Sequence, residues 1–511
     1  MIVPLAQLQT AIPQREDYIR ILPELILSIF GILIMILDPW VDEEKSPKTL
    51  GIIGFVGSIA ALASTGYVAK SPGLAFFNTI RVDSFSIFFD FLVIAIAAVV
   101  ILSSFEYMAV QKIRAGEYYA LILLGTVGML LMSSAIELVL IFIGLEISSI
   151  ATYILAGFRR TDASSSESSL KYFLLGSFAT AFFLYGVALM FGATGSTNVD
   201  VIGQRLESSP AGLLVFTAMA LMFVGLGFKV AIAPFHVWTP DVYEGAPAPV
   251  VGFMSTAPKA AAFAVLLRVV FAINAPGRFW FLWVAAALSM TLGNICALVQ
   301  NNVKRLLAYS SIAHAGYLLV AFAMTDQENY AVGISAAMFY TAAYAAMNVG
   351  AFAVVSHLAN AGERYVHLED YEGLGRSSPL LAATLTMFLL SLIGIPMTGG
   401  FFAKFYVFSA ALRANLIWLT IIGVLNSAIG AYYYLRIIVV MYMRESRKEV
   451  PVSPVSPGLG LALALSILAT LYLGILPNRV LKITQHSAQE LVPTSSNPGV
   501  AQGHTPAANS N

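Results

Sequence analysis

Five ionisable residues stand inside stretches of this chain that are otherwise apolar: Glu146, Lys229, Lys259, His314 and Lys404. A charged group at mid-membrane depth costs about 2.5 to 3.5 kcal/mol even on the lenient insertion scale, so each calls for a partner or a function. Two of the lysines sit beside a proline, in Leu226-Gly-Phe-Lys229-Val-Ala-Ile-Ala-Pro234-Phe-His236 and in Ile393-Gly-Ile-Pro396-Met-Thr-Gly-Gly-Phe-Phe-Ala-Lys404. Pro234 cannot donate to the carbonyl of Val230, and Pro258, next to Lys259, frees the carbonyl of Met254 in the same way. A helix opened at that depth is tolerated only where it is buried in protein or lines a wet cavity. Amines in desolvated sites can take up and release protons near neutrality, a change of about 3 pK units or 4 kcal/mol. A carboxylate such as Glu146 would hold a neighbouring Lys229 charged, and separating the two would release a proton. Each group also has a static reading. Glu146 and Lys229 could form a fixed ion pair, Lys259 could snorkel, and Lys404 could reach an interface. His314 could sit neutral in a helix contact, and His236 could cap freed backbone as readily as titrate. Arg268 reads as a residue near a membrane surface.

The elements that must position these groups follow from composition. Hydrophobic residues make up 58% and charged residues 11% of the 511 residues, with 28 basic and 28 acidic side chains. A soluble domain would carry about twice that charge. Windows of about 20 apolar residues give spans near 21–38, 50–69, 83–103, 117–134, 136–157, 169–192, 211–233, 247–272, 279–300, 304–324, 330–357, 380–411, 415–442 and 457–477. The expected fold is an all-α polytopic membrane protein of about 14 transmembrane helices in a lipid bilayer. The first apolar run continues into a full span and reads as a retained helix, not a cleaved signal. The one cysteine, Cys296, excludes a disulfide framework or an iron–sulfur cluster held by this chain. No strand–glycine-rich turn–helix unit is present, so no nucleotide, flavin, metal or nucleic-acid site is expected. Basic residues in loops after odd-numbered spans outnumber those on the other side, which places both termini away from the cytoplasm.

One shift of the chain lays Pro234 on Pro396 and Ser149-Ile-Ala151 on Ser311-Ile-Ala313. A small change of loop length brings Leu170-Lys-Tyr172 onto Met338-Phe-Tyr340. Spans four to eight and nine to thirteen then form two five-helix units. Five is odd, so the second is inverted, and each contains a broken helix, as ion-coupled transporters are commonly built. The expected division is 1–116, three N-terminal helices; 117–278, the first repeat; 279–445, the second; 446–491, a C-terminal helix; and 492–511, a disordered tail rich in Ser, Asn, Pro and Gly.

The stretch Lys229-Val-Ala-Ile-Ala-Pro-Phe-His-Val-Trp-Thr-Pro-Asp-Val-Tyr-Glu-Gly-Ala-Pro247, followed by Lys259, resembles the antiporter-like membrane subunits of complex I. Trp238-Thr-Pro-Asp-Val-Tyr-Glu-Gly245 is similar to the N-type, or chain 2, subunit. Leu170–Gly176, Gly394–Tyr406 and Tyr432–Ile438 resemble the cyanobacterial and plastid version of that subunit, which belongs to the photosynthetic NAD(P)H-quinone oxidoreductase. Plastid relatives have Ser where Phe235 stands, which favours a cyanobacterium. The resemblance covers about residues 20–480. It implies a proton relay of Glu146 on the fifth helix, Lys229 as central carrier, Lys259 and His314 as relay groups, and Lys404 as exit group, with helix breaks at Pro234, His236, Pro258 and Pro396. Some related subunits have a histidine at Asn348, so here the middle of the relay would lean on water, Tyr340 or Tyr344. It further implies partner subunits, both membrane and peripheral-arm, that hold the iron–sulfur clusters, receive photosynthetic electrons without flavin and reduce plastoquinone, in a thylakoid membrane. The alternative functions are a subunit of a multisubunit sodium/proton antiporter and a structural spacer whose polar axis is idle.

Overall fold

A computed structural model of the chain describes residues 13–208, 212–273, 278–324, 327–446 and 453–492. Almost all of it is helix. Each expected span coincides with a helix or a pair of helix halves. In chain order these are α1 (Leu22–Leu37), α2 (Ser46–Val68), α3 (Ser84–Gln111), α4 (Gly116–Ser134), α5 (Leu138–Ala156), α6 (Ala163–Thr194) and α7 (Leu213–Val230). They continue with α8 (Ala248–Met254 and Ala257–Ala272), α9 (Arg278–Leu298), α10 (Val303–Val320) and α11 (Gln327–Ala359). The last are α12 (Pro379–Ile393 and Gly399–Arg413), α13 (Ile417–Met443) and α14 (Pro457–Ile475). Among the described residues, 12 helices are long and apolar enough to cross a membrane on length and composition alone. α10 misses that test because it carries Lys304, Arg305, His314 and several hydroxyls, and α12 misses it because it is split.

Burial sorts these helices into an inner and an outer set. The apolar windows of α8 and α11 are 100% and 94% buried, whereas those of α1, α6, α13 and α14 are only 28% to 39% buried. α10 is buried along nearly its whole length. The inner three therefore need no lipid-compatible surface, which is why they can carry the polar side chains. α6 packs on α7, α9 on α10, and α11 on the second half of α12. α14 returns to pack against α3, which joins the last expected span to the N-terminal three.

Helix ends are set locally. Asp83, Asp162, Asn302 and Ser456 cap α3, α6, α10 and α14 by accepting a backbone N–H of the first turn, which satisfies donors that the helix leaves unpaired. α7 stops at Val230, where Ala231 turns left-handed at φ 61°. The first half of α12 stops at Gly394, φ 96°, a conformation that costs glycine little. At Gly400 a Cβ would collide with the Ser391 carbonyl, so a side chain there would force the halves of α12 apart.

Other elements lie outside the expected spans. A hairpin pairs β1 (Gly73–Ala75) with β2 (Ile80–Val82), and a short helix, Thr239–Gly245, follows the α7 break. Val199–Ser208 and Pro477–Leu491 are amphipathic helices, the latter packed on α11. The expected tail lies from residue 493 outside the described residues, as do residues 1–12.

Candidate proton-transfer axis

Lys229 lies in the last turn of α7, Lys259 two residues into the second half of α8, His314 in mid-α10 and Lys404 in the second half of α12. Their exposures are 3%, 4%, 3% and 8%. Side chains that polar and that buried need partners, and the helix breaks and neighbouring hydroxyls provide them. Lys229 Nζ donates to Ser149 Oγ on α5 at 2.9 Å. Lys259 Nζ donates to Ser311 Oγ on α10 at 2.6 Å. Both serines belong to the matching Ser-Ile-Ala triplets, so each triplet supplies a hydroxyl to a lysine from a neighbouring helix. Glu146 lies three residues before Ser149 and within electrostatic reach of Lys229. The two form no direct ion pair among the described residues, and Glu146 Oε1 is buried without a partner. The static ion pair is therefore not what holds α5 to α7.

His314 is held at both nitrogens, Nδ1 by Tyr340 Oη at 2.7 Å and Nε2 by Tyr434 Oη at 3.2 Å. Tyr434 in turn bonds to Ser310. His314 lies within electrostatic reach of both Lys259 and Lys404, so it stands between them. Lys404 Nζ donates to the Leu392 and Ile393 carbonyls at 3.1 and 2.8 Å and to Ser427 Oγ at 2.8 Å. Those carbonyls are the ones the break in α12 leaves unpaired, and a cation there also meets the negative end of the half-helix. The Tyr317 ring lies 5.0 Å from the same nitrogen.

The first break is braced differently. Ala233 N–H donates to Ser289 Oγ at 2.8 Å, and the Trp238 indole donates to the Phe228 carbonyl at 3.0 Å. Trp238 also stacks on Tyr172, ring centroids 4.4 Å apart, which folds the chain back over the end of α7. Past it, Asp241 accepts from Lys171 at 2.7 Å and from Arg305 at 2.8 Å, and Arg305 also holds Glu244 at 2.7 Å. Partial burial pushes the Asp241 carboxyl upward, but the bonds from Lys171 and Arg305 prevail and hold it below the usual carboxylate range. Pro234 itself is exposed, and His236 is half-buried near the Pro234 carbonyl with its Nδ1 unpartnered. The α8 interruption falls at Ser255–Thr256, as Pro258 requires, and Ser255 Oγ accepts from Asn348 Nδ2 at 2.7 Å.

The structure thus brings Glu146, Lys229 and Ser149 together, and separately Lys259, Ser311, His314 and Lys404. Tyr243, whose ring is 5.9 Å from Lys259 Nζ, lies edge-on to Trp238 past the α7 break, ring centroids 6.1 Å apart. Sequence reasoning missed the roles of Ser149, Ser311, Ser427, Tyr434 and Tyr317. Only the two triplet serines carried a signal, their coincidence under the repeat shift. Arg268, read as lying near a membrane surface, is 3% exposed and packs among helix ends. Arg268 donates to Asp83 at 2.8 Å and to the Ser133 carbonyl at 3.0 Å, beside the buried acids Asp90 and Glu24.

Residues 135–430 match the family described as NADH:quinone oxidoreductase/Mrp antiporter, TM. NADH-quinone oxidoreductase subunit N 2 of Koribacter versatilis is 64% identical over 496 residues, covering 96% of this chain and all of that protein. A chain of respiratory complex I from Thermus thermophilus superimposes with TM-score 0.77 at 38% identity, covering 90% of this chain and 98% of its own. A chain of the Mrp complex from Dietzia sp. DQ12-45-1b shares the fold, with TM-score 0.78 at 21% identity over 93% and 97% of the two chains. The broken helices, the buried amines and these matches make the chain a member of the NADH:quinone oxidoreductase/Mrp antiporter family, of the N type.

Proposed function

We propose that this chain is the proton-translocating membrane subunit of a respiratory-type complex I, and that it moves protons along Glu146, Lys229, Lys259, His314 and Lys404. The observation that carries this reading is the set of three buried lysines, each of which donates to a serine hydroxyl on a neighbouring helix. A hydroxyl both donates and accepts, so it can hand a proton on where a carboxylate would trap the amine as an ion pair. Redox chemistry belongs to partner subunits, membrane and peripheral, and reaches this chain as a change in charge or shape. The homologous subunits are named for NADH and quinone, and the matches with high identity come from organisms other than cyanobacteria. They favour NADH as donor over the photosynthetic, plastoquinone-reducing form, which rests on three sequence stretches alone. Residues 117–278 and 279–445 act as the two inverted halves, each with its own break, and the termini lie away from the cytoplasm. The sodium/proton antiporter reading has the shared Mrp fold in its favour, and the Trp238–Gly245 motif against it.

The test is proton pumping and quinone reduction by the assembled complex in membrane vesicles. Lys229→Ala and Lys404→Ala should each lower both rates by about 10²-fold or more, the usual worth of a positioned proton carrier. Glu146→Gln should weaken pumping while Glu146→Asp largely preserves it. Normal pumping by assembled Lys229→Ala complex would defeat the relay and leave the spacer reading.

A further inference from the structure

α11 carries a second polar feature, which leads away from the axis. Tyr340, Tyr344, Asn348 and Ser356 follow one another at four-residue steps, with Phe352 the single apolar residue in the row. Neighbours in such a row touch, and the row winds about 40° round the helix at each step, so it runs as a spiral along α11. At one end the row joins the axis, through Tyr340 on His314 and Asn348 on Ser255 at the α8 break. Tyr344 Oη is buried beside Ser311 and Asn348, and Ser356 Oγ is buried without a hydrogen bond. Ser356 would cost about 1 to 3 kcal/mol if left dry, so that end of the row calls for water.

At its other end the row reaches a small pocket of about 20 Å³, whose lining includes Ser356, His357, Glu106 and Ser453. His357 Nδ1 lies 3.1 Å from Glu106 Oε1, and its Nε2 lies 3.0 Å from the Ser453 carbonyl. A carboxyl and an imidazole thus stand together at the pocket wall, next in sequence to the buried Ser356 hydroxyl. Neighbouring charges do not compete for them. Glu363, beside the pocket, is fully engaged by Tyr107 Oη at 2.7 Å, by the Ala248 N–H at 2.7 Å and by Lys304.

We propose that Glu106 and His357 form a proton intake site at this face, and that the α11 row carries protons inward to Lys259 and His314, with Phe352 as the gate. Between Ser356 and Asn348 the helix rises about 12 Å, and the only side chain of the row in that interval is Phe352. It packs over Gly252 of α8 and edge-on to Tyr243, ring centroids 6.3 Å apart. Both neighbours sit at the broken part of α8 and the clamped segment before it, so a shift there would move the plug. In each transfer His357 gives one N–H proton to water in the row and regains one from the aqueous face. The charge of the pair is thereby restored. This inference deepens the proposed function and rests on it.

The experiment uses the assembled complex in vesicles, in a Cys296→Ser background. Ser356→Cys and Asn348→Cys are probed with a membrane-impermeant cationic thiol reagent applied to either face. Ser356→Cys should react only from the face where α11 ends. Asn348→Cys should be protected, and become reactive from that same face when Phe352→Ala is added. A silent Ser356→Cys, or an Asn348→Cys still protected beside Phe352→Ala, would overturn the path. Pumping by Glu106→Gln and by His357→Gln should fall about tenfold or more and recover in part as that face is acidified. Unchanged pumping in both, beside a Lys229→Ala complex that fails, would remove the intake site alone. Normal pumping by Lys229→Ala would instead remove the axis.

Discussion

At the scale of single residues, the informative pairings are lysine with serine rather than lysine with carboxylate. Lys229 and Lys259 each rest on a hydroxyl, while Glu146 acts on Lys229 only through space. A carboxylate in contact would give up little of its hold on the proton in a low-dielectric interior, whereas a hydroxyl leaves the amine free to cycle. Replacing Ser149 or Ser311 with Ala removes the acceptor and leaves a buried ammonium under-bonded. The expected loss is about 1 to 3 kcal/mol of stability, read as a lower unfolding temperature of the solubilised chain, together with slower pumping. Ser→Thr, which keeps the hydroxyl, should recover most of the pumping. If Ala and Thr slow it equally, the serines matter for packing and not for proton transfer.

At the scale of elements, three interrupted helices place the amines, and each interruption is braced by different means. Lys404 ties together the two halves of its own helix. α7 is closed by Trp238 and Ser289, and the short helix after it is clamped by Lys171 and Arg305. The clamp makes a pH prediction. The folded Asp241 carboxyl is held below its ordinary value, so its contribution is complete above the unfolded value of about 3.9 and is lost as pH falls through the folded one. Wild-type complex should therefore lose stability in that acid window more steeply than Asp241→Asn, in thermal melts at stepped pH. Parallel curves would show that the clamp contributes nothing. The amphipathic helices Val199–Ser208 and Pro477–Leu491 were illegible to a search for apolar windows, because their apolar faces are too narrow for one.

At the scale of the whole molecule, the proposed function makes the chain a proton path driven by partner subunits. Its core is a run of central helices, α8, α10 and α11, shielded from lipid by the others. Exposed leucines, isoleucines and phenylalanines cover α1, α6 and α13, as a lipid or partner surface requires. The purified chain alone should therefore bind no flavin or nicotinamide and show no quinone reductase activity, by absorbance and by turnover assay. Bound cofactor in a clean preparation would contradict the division of labour proposed here.

Spans, breaks and buried amines were legible in the sequence because each is a local matter. Twenty apolar residues must cross or be buried, a proline must open its helix, and a charge in such a run must be paired or used. Arg268 shows what that reasoning leaves out: where α3 begins and α4 ends, Asp83, 185 positions away, and the Ser133 carbonyl bind it inside the bundle. Which hydroxyl receives each lysine, which tyrosines hold His314 and how α11 joins a pocket to the axis depend on contacts between helices far apart in sequence. Periodicity along one helix says which side faces inward, but not what it meets there. Only the packed bundle decides that.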